Sequence, residues 1–209
     1  MSKQKKCSPK GSFIIRSKHS ELPEKKDTMR FVSIDPGEKN FAITIQKRGK
    51  TVKNLVIAKH IFGDQRKKSG CGSIDLRIDE TNSILDQYKK HYKKCDVVLV
   101  ENQMFVNDVM AYMERDIIHY FRNNYPDICV VSLDNKLKNS IMEKKKNENK
   151  SNYQAREISK AVELCNNWGD QKSVDLLYEF LESDDKADKA HDPSVTINQL
   201  EAFCRKVGY

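Results

Sequence analysis

The sequence predicts an α/β fold in which a mixed five-stranded sheet, an antiparallel meander plus two parallel strands, is flanked by helices. Three observations carry this. β-rich apolar runs at Phe31–Asp35, Phe41–Gln46 and Val52–Phe62 are punctuated by the turn signals Pro36-Gly37 and Arg48-Gly49-Lys50. Two unbroken apolar runs, Asp96–Glu101 (DVVLVE) and Ile128–Leu133, have the character of strands covered on both faces, as parallel central strands are. Between and after them, apolar residues recur at helical spacing.

In chain order, residues 1–29 are rich in Lys and Ser and interrupted by Gly11 and Pro23, so they read as a mobile basic arm. The meander follows, then a glycine-rich basic loop over residues 63–73. Ile74, Ile78, Leu85, Tyr88 and Tyr92 mark a first amphipathic helix. Val109, Met113, Ile117 and Tyr120 mark a second, ended at Asn123-Asn124-Tyr125-Pro126. Beyond the last strand, residues 136–152 form a basic insertion of low complexity. Helical patterns then run over Tyr153–Cys165, Ser173–Leu181 and Pro193–Val207. Residues 30–209 thus read as one domain, and the order βββ, α, β, α, β, then helices, is that of the RNase H-like fold. In that arrangement the first and fourth strands are neighbours.

Composition narrows the partner. A net charge of +8 over 209 residues favours polyanions. No apolar run approaches the roughly 18 residues of a membrane span, and MSKQKKCSPKGS lacks the apolar centre of a secretory signal. The expectation is a soluble, intracellular protein without a membrane partner. The six cysteines are scattered and show no zinc-ligand spacing, so they read as free thiols.

Two carboxylates stand out. Asp35 ends the first strand, where Pro36-Gly37 turns the chain and leaves the side chain at a sheet rim. Glu101 ends the apolar run DVVLVE, where an acid suffers desolvation unless it meets a cation or reaches water. Taken singly, each also reads as a turn residue or a solvated strand end. On adjacent strands they converge, and their repulsion is of the kind that magnesium or manganese relieves. Two such ions hold the attacking water and the leaving oxygen of a phosphodiester in line.

At this point the residues resemble a family. SIDPGEKNFA (Ser33–Ala42) is similar to the Asp-hydrophobic-Gly-x-Lys-Asn-x-Ala signature of the poxvirus and related large-DNA-virus Holliday junction resolvases, relatives of bacterial RuvC and the yeast mitochondrial resolvases. VLVENQ resembles their second-acid strand, and the helix Tyr153–Leu164 resembles their tyrosine-plus-basic-cluster element. The resemblance runs from about Arg30 to the C-terminus. It implies a structure-selective endonuclease that resolves four-way DNA junctions as a homodimer, with Mg2+ or Mn2+ as cofactor, two ions per site. It also implies Asp35 and Glu101 as ligands and Lys160 or Arg156 at the scissile phosphate. For a viral protein the location is host cytoplasm or the place of viral DNA replication.

The third acidic element departs from the family pattern of two acids three residues apart at the start of the final helix. One register takes Asp184-Asp185-Lys186-Ala187-Asp188, making Asp185 and Asp188 ligands. The other places Asp192 at the first acid and Val195 at the last. Asp192 before Pro193 suits a helix N-terminus, whereas a helix begun at Asp185 carries Pro193 in its interior at about 3 kcal/mol. This favours Asp192 as third ligand, with Asp188 or His191 nearby as a fourth. If Val195 replaces the last acid, one metal site is weakened, and a resolvase-like protein that binds branched DNA without cutting becomes the alternative, alongside another RNase H-like nuclease. DNA contacts are expected from Lys39 and Asn40 of the signature, from Arg66-Lys67-Lys68, from Arg156 and Lys160, from the arm, and from Lys144-Lys145-Lys146. A helix near 105–122, with Phe105, Met110, Tyr112 and Met113, is the candidate dimer face or ordinary core.

Overall fold

The structure, a computed structural model, describes residues 13–17, 21–37, 39–62, 71–103, 108–142, 148–182 and 191–209. The expected meander is present as β2 (Met29–Pro36), β3 (Asn40–Arg48) and β4 (Val52–Ile61), paired antiparallel. Two continuous apolar strands, β5 (Val97–Glu101) and β6 (Cys129–Leu133), run parallel to β2 and to each other. Every residue of both is buried, as the unbroken apolar runs require.

The sheet has six strands rather than five. Phe13–Ile15, inside the stretch read as a mobile arm, form β1, antiparallel to β6, giving the order β1-β6-β5-β2-β3-β4. β1 covers an edge that a terminal parallel strand otherwise leaves open, and Phe13 packs edge-on against Phe203 at 5.3 Å.

Alternation along the strands divides the core into two layers. Val32, Ile34, Phe41, Ile43, Ile45, Val98, Val100 and Val130 face α1 (Cys71–Gln87) and α3 (Asp108–Asn124), whose Leu85, Met113, Ile117 and Phe121 fill that layer; the short α2 (Lys89–Tyr92) adds Tyr92. Phe31, Val97, Leu99, Val131 and Leu133 face the opposite side, against Leu200 and Phe203 of α6 (His191–Val207). Beside α6, α4 (Lys150–Asn167) and α5 (Gln171–Glu182) enclose Ala161, Leu164, Val174 and Leu177 with Ile57 and Ile197.

α6 is buried along most of its length, polar residues included: Thr196 meets Thr44 at 2.7 Å and Glu201 meets Arg48 at 2.5 Å. A helix sunk this deeply fixes its register on the sheet through these pairs, because an unmatched buried polar group costs more than an unmatched apolar one. Trp168, partly buried at the end of α4, carries the Arg48 guanidinium 5.4 Å from its ring centre and belongs to the core. Among the described residues, no helix is long and apolar enough to cross a membrane.

Candidate active site

The site begins with one row of residues across the sheet. Strand pairing sets Leu133 opposite Glu101, Asp35 opposite Ala42, and Ala42 opposite Lys59. The β2–β5 register, Ile34 to Val100, carried one residue further brings Asp35 beside Glu101. Residues in one row point to one face, here the face covered by α6, because Ser33, two residues before Asp35, reaches Gln199 and Glu101 receives the Gln199 amide. The row therefore reads Glu101, Asp35, Ala42, Lys59, with two acids side by side and a lysine two strands away.

Turn chemistry holds Asp35 at the rim. Pro36 ends β2, and the Gly37 N–H donates to the Asn40 carbonyl at 2.8 Å. A Cβ on Gly37 would lie 2.8 Å from that same oxygen, so this tight closure admits only glycine. Lys39 is exposed on the hairpin beside it, with Asn40 partly exposed.

Three other elements converge on the row. The 3-10 turn Leu137–Ile141 contributes Lys138, buried to 9% exposure; α4 contributes Glu157, at 0%; α6 contributes His191, Asp192 and Gln199. Lys138 Nζ stands 3.1 Å from Glu157, His191 Nε2 2.5 Å from Glu157, His191 Nδ1 3.3 Å from Asp192, and Lys59 Nζ 2.9 Å from Asp192. Four carboxylates and three basic side chains thus interlock at one end of the sheet.

Their electrostatics separate into two groups. Burial, then the charge of Glu101 and further that of Asp192, pushes the Asp35 carboxyl well above the ordinary carboxylate range, against the pull of Lys138 and His191. Burial also raises Glu101, opposed by Lys138 and by the hydrogen bond from Gln199. Glu157 and Asp192 go the other way: burial alone would raise them, but His191 and Lys138 outweigh it for Glu157, and His191 and Lys59 for Asp192. The paired acids are the frustrated ones.

His191 is the complement of that balance. Burial alone would lower its pKa, but its contacts with Asp192 and Glu157 lift it to about 9. A raised folded-state value means the clamp stabilises fully below 6.5, the ordinary value, and its contribution is lost as pH rises through about 9. Urea midpoints measured from pH 6 to 9.5 should fall across that window, and the fall should flatten in His191→Gln.

The structure brings together Asp35, Glu101 and, through Lys59, Asp192. Asp192 is not the residue preceding the final helix, as expected, but lies in its first turn after His191, where an acid faces the positive end of the helix dipole and Pro193 withholds an N–H that has no helical partner. Lys160 and Arg156 are engaged elsewhere: Lys160 pairs with Glu163 at 2.7 Å, and Arg156 pairs with Glu148 at 2.5 Å while lying over the Tyr153 ring. The lysine acting on the paired acids is Lys138, from the segment read as a basic insertion. Asp185, Asp188, Arg66, Lys67, Lys68, Phe105 and Lys144–Lys146 lie outside the described residues. Among the described residues, no three His, Cys, Asp or Glu side chains form a group that could hold a metal ion. On the candidate dimer helix, Met113 is buried core and Tyr112 is 46% exposed.

The sheet order and flanking helices are those of an RNase H-like fold. The fold is shared with the fowlpox virus resolvase, solved in complex with its substrate Holliday junction DNA: 19% identity, a TM-score of 0.57, and coverage of 86% of this chain and 99% of that one. Thermus thermophilus RuvC is similar at 10% identity and a TM-score of 0.48, covering 86% and 97% of the two chains. The yeast mitochondrial Holliday junction resolvase Ydc2 is similar at 19% and 0.46, covering 86% of each. No protein-family model matches the chain, and no curated protein matches it in sequence.

Proposed function

We propose that this chain is a structure-selective DNA endonuclease that resolves four-way junctions by metal-dependent phosphodiester hydrolysis, acting as a homodimer. The observation that carries the reading is the placement of Asp35 and Glu101 side by side on adjacent parallel strands, facing α6. The likeness to a resolvase solved with junction DNA supports it.

The donor set fits a hard divalent cation. Asp35 and Glu101 offer carboxylate oxygens, the ligand type of magnesium and manganese, and both are driven toward protonation by burial, Asp35 also by the neighbouring charge. A cation held by this pair supplies Lewis acidity and an activated water. The chain's own residues do the remainder. Lys138 brings positive charge to the acids without leaving the interior, where it is worth more than at the surface. Lys59 and His191 fix Asp192. Lys39 and Asn40, on the hairpin next to Asp35, take phosphate contacts that set register rather than sequence, with Arg66, Lys67 and Lys68 adding charge.

Val195 favours a second reading, a junction-binding protein that does not cut. It is 1% exposed, one turn after Asp192, where the resemblance calls for an acid. Incubation with manganese and synthetic four-way junction, linear duplex and RNA–DNA hybrid separates the readings. Symmetric cuts in the junction alone support resolution; binding to the junction without cutting supports the second reading; cleavage of the hybrid overturns the substrate assignment.

A further inference from the structure

We infer that Glu114, a carboxyl buried on the opposite side of the sheet from the acid pair, is a positioning residue for Glu101: it holds the chain where β5 ends, so that the Glu101 side chain stays beside Asp35. The inference rests on the nuclease reading above and concerns a residue outside the cluster of charges around α6.

Glu114 is out of place by composition. It is 7% exposed on the inner face of α3, beside Met113 and one turn before Ile117 and Ile118, residues that fill the apolar layer against Val98, Val100 and Val130. Burying a carboxyl there is costly unless its oxygens are satisfied. Both are: Oε1 accepts from the Ser132 hydroxyl at 2.6 Å, and Oε2 accepts from the Gln103 main-chain N–H at 2.8 Å. Ser132, 1% exposed, faces α3 because its neighbour Leu133 faces α6.

The Gln103 contact carries the functional weight. Glu101 lies opposite Leu133 in the parallel ladder, and the Asn102 N–H donates to the Leu133 carbonyl at 2.7 Å. One residue on, the Gln103 N–H goes to Glu114 on the helix, while the Gln103 side-chain amide donates back to the Glu101 carbonyl at 3.4 Å. The two residues after Glu101 are thus tied, one to the sheet and one to α3. A hold is needed there, because Glu101 ends its strand facing a second acid, and the two carboxylates repel. Asp35 is fixed by the Pro36-Gly37 turn. For Glu101, Gln199 restrains the carboxyl from α6 and Glu114 restrains the main chain from α3.

Glu114→Gln, Glu114→Asp and Glu114→Met separate positioning from packing. Glutamine keeps both bonds, since its oxygen accepts from Gln103 and its NH2 donates to the Ser132 hydroxyl, which turns to accept. Aspartate, one methylene shorter, cannot span both partners, and methionine offers no comparable acceptor. The kcat of manganese-dependent junction cleavage should fall about 10- to 100-fold in the aspartate and methionine variants, with KM for the junction unchanged, and should stay near wild type in Glu114→Gln. In the metal-free protein, the Asp35 carboxyl followed by NMR should titrate closer to the ordinary range in the two impaired variants, because Glu101 has moved off it. A wild-type kcat or a wild-type Asp35 titration in both of them overturns the inference, whatever their loss of stability in urea. A loss in Glu114→Gln equal to that in Glu114→Met overturns it too, as does failure of both the aspartate and methionine variants to fold, which makes the role purely structural. A wild-type protein that does not cut the junction overturns the nuclease reading alone, and the Asp35 titration then decides this inference.

Discussion

Asp35→Asn is expected to abolish junction cleavage and, at the same pH, to raise the thermal midpoint of the free protein. The loss follows from the donor set. Perturbing even an outer partner of a metal ligand typically costs 10- to 100-fold, so removing a ligand's charge should cost more than about 100-fold. The gain follows from the sign of the carboxyl's shift. Its folded-state pKa lies well above the unfolded one, through burial and the Glu101 charge. Between those values the folded chain holds the proton and the unfolded chain releases it, so stability falls as pH rises through that window, and above it the ionised group opposes folding. Asparagine, close in shape and uncharged, lifts that opposition at neutral pH. A variant that is inactive and less stable would mean that Asp35 is a structural acid paired with an unrecognised cation. Wild type should show the same stabilisation when manganese is added, since a ligand that binds only the folded state raises its midpoint.

Lys138→Met should do the reverse and unfold the site. Lys138 is buried among carboxylates; burial alone would lower its pKa, but Glu101, Glu157 and Asp35 together hold it raised, so it stays charged. Truncating one member of a buried ion pair leaves the other uncompensated, at about 3–5 kcal/mol. Glu157, at 0% exposure, is left with His191 as its basic partner, so the loss should be at most of that size. Urea unfolding should show it in Lys138→Met, and Lys138→Met combined with Glu157→Gln should recover part of it, because the half-compensated charge is then gone. A loss equal in the single and double variants would place the lysine's contribution in packing of its aliphatic stem.

Physical reasons decide which parts of this architecture can be read from residues alone. β5 and β6 announce themselves because a strand covered on both faces has no polar side to show, and VVLVE has none until its final acid. The pairing of Asp35 with Glu101 follows from the strand order together with that position. β1 escapes because three residues, Phe13–Ile15, are too few to establish a period inside a basic stretch, and their pairing with β6 is long-range. Lys138 escapes for the opposite reason: in KLKNSIMEKKKNENKSN it is one lysine among many, and only the 3-10 turn that buries Leu137 turns it inward. Glu157 and Gln199 are polar residues within helices, where pattern reading assigns such positions to solvent. Both are buried because α4 and α6 meet each other above the sheet, which no single-helix periodicity reports. Lys160 has the more suggestive neighbourhood in sequence, yet its ammonium ends on Glu163, one turn along the same helix.

The side-by-side placement of Asp35 and Glu101 is tested most directly by a carboxyl-detected NMR titration of Asp35 in the metal-free protein, in wild type and in Glu101→Gln. The expected result is an Asp35 carboxyl that titrates well above the ordinary range and moves back toward it once the neighbouring charge is removed. An Asp35 that titrates at an ordinary carboxylate value, unmoved by Glu101→Gln, would show that the two oxygens do not face one another and that no shared cation site exists.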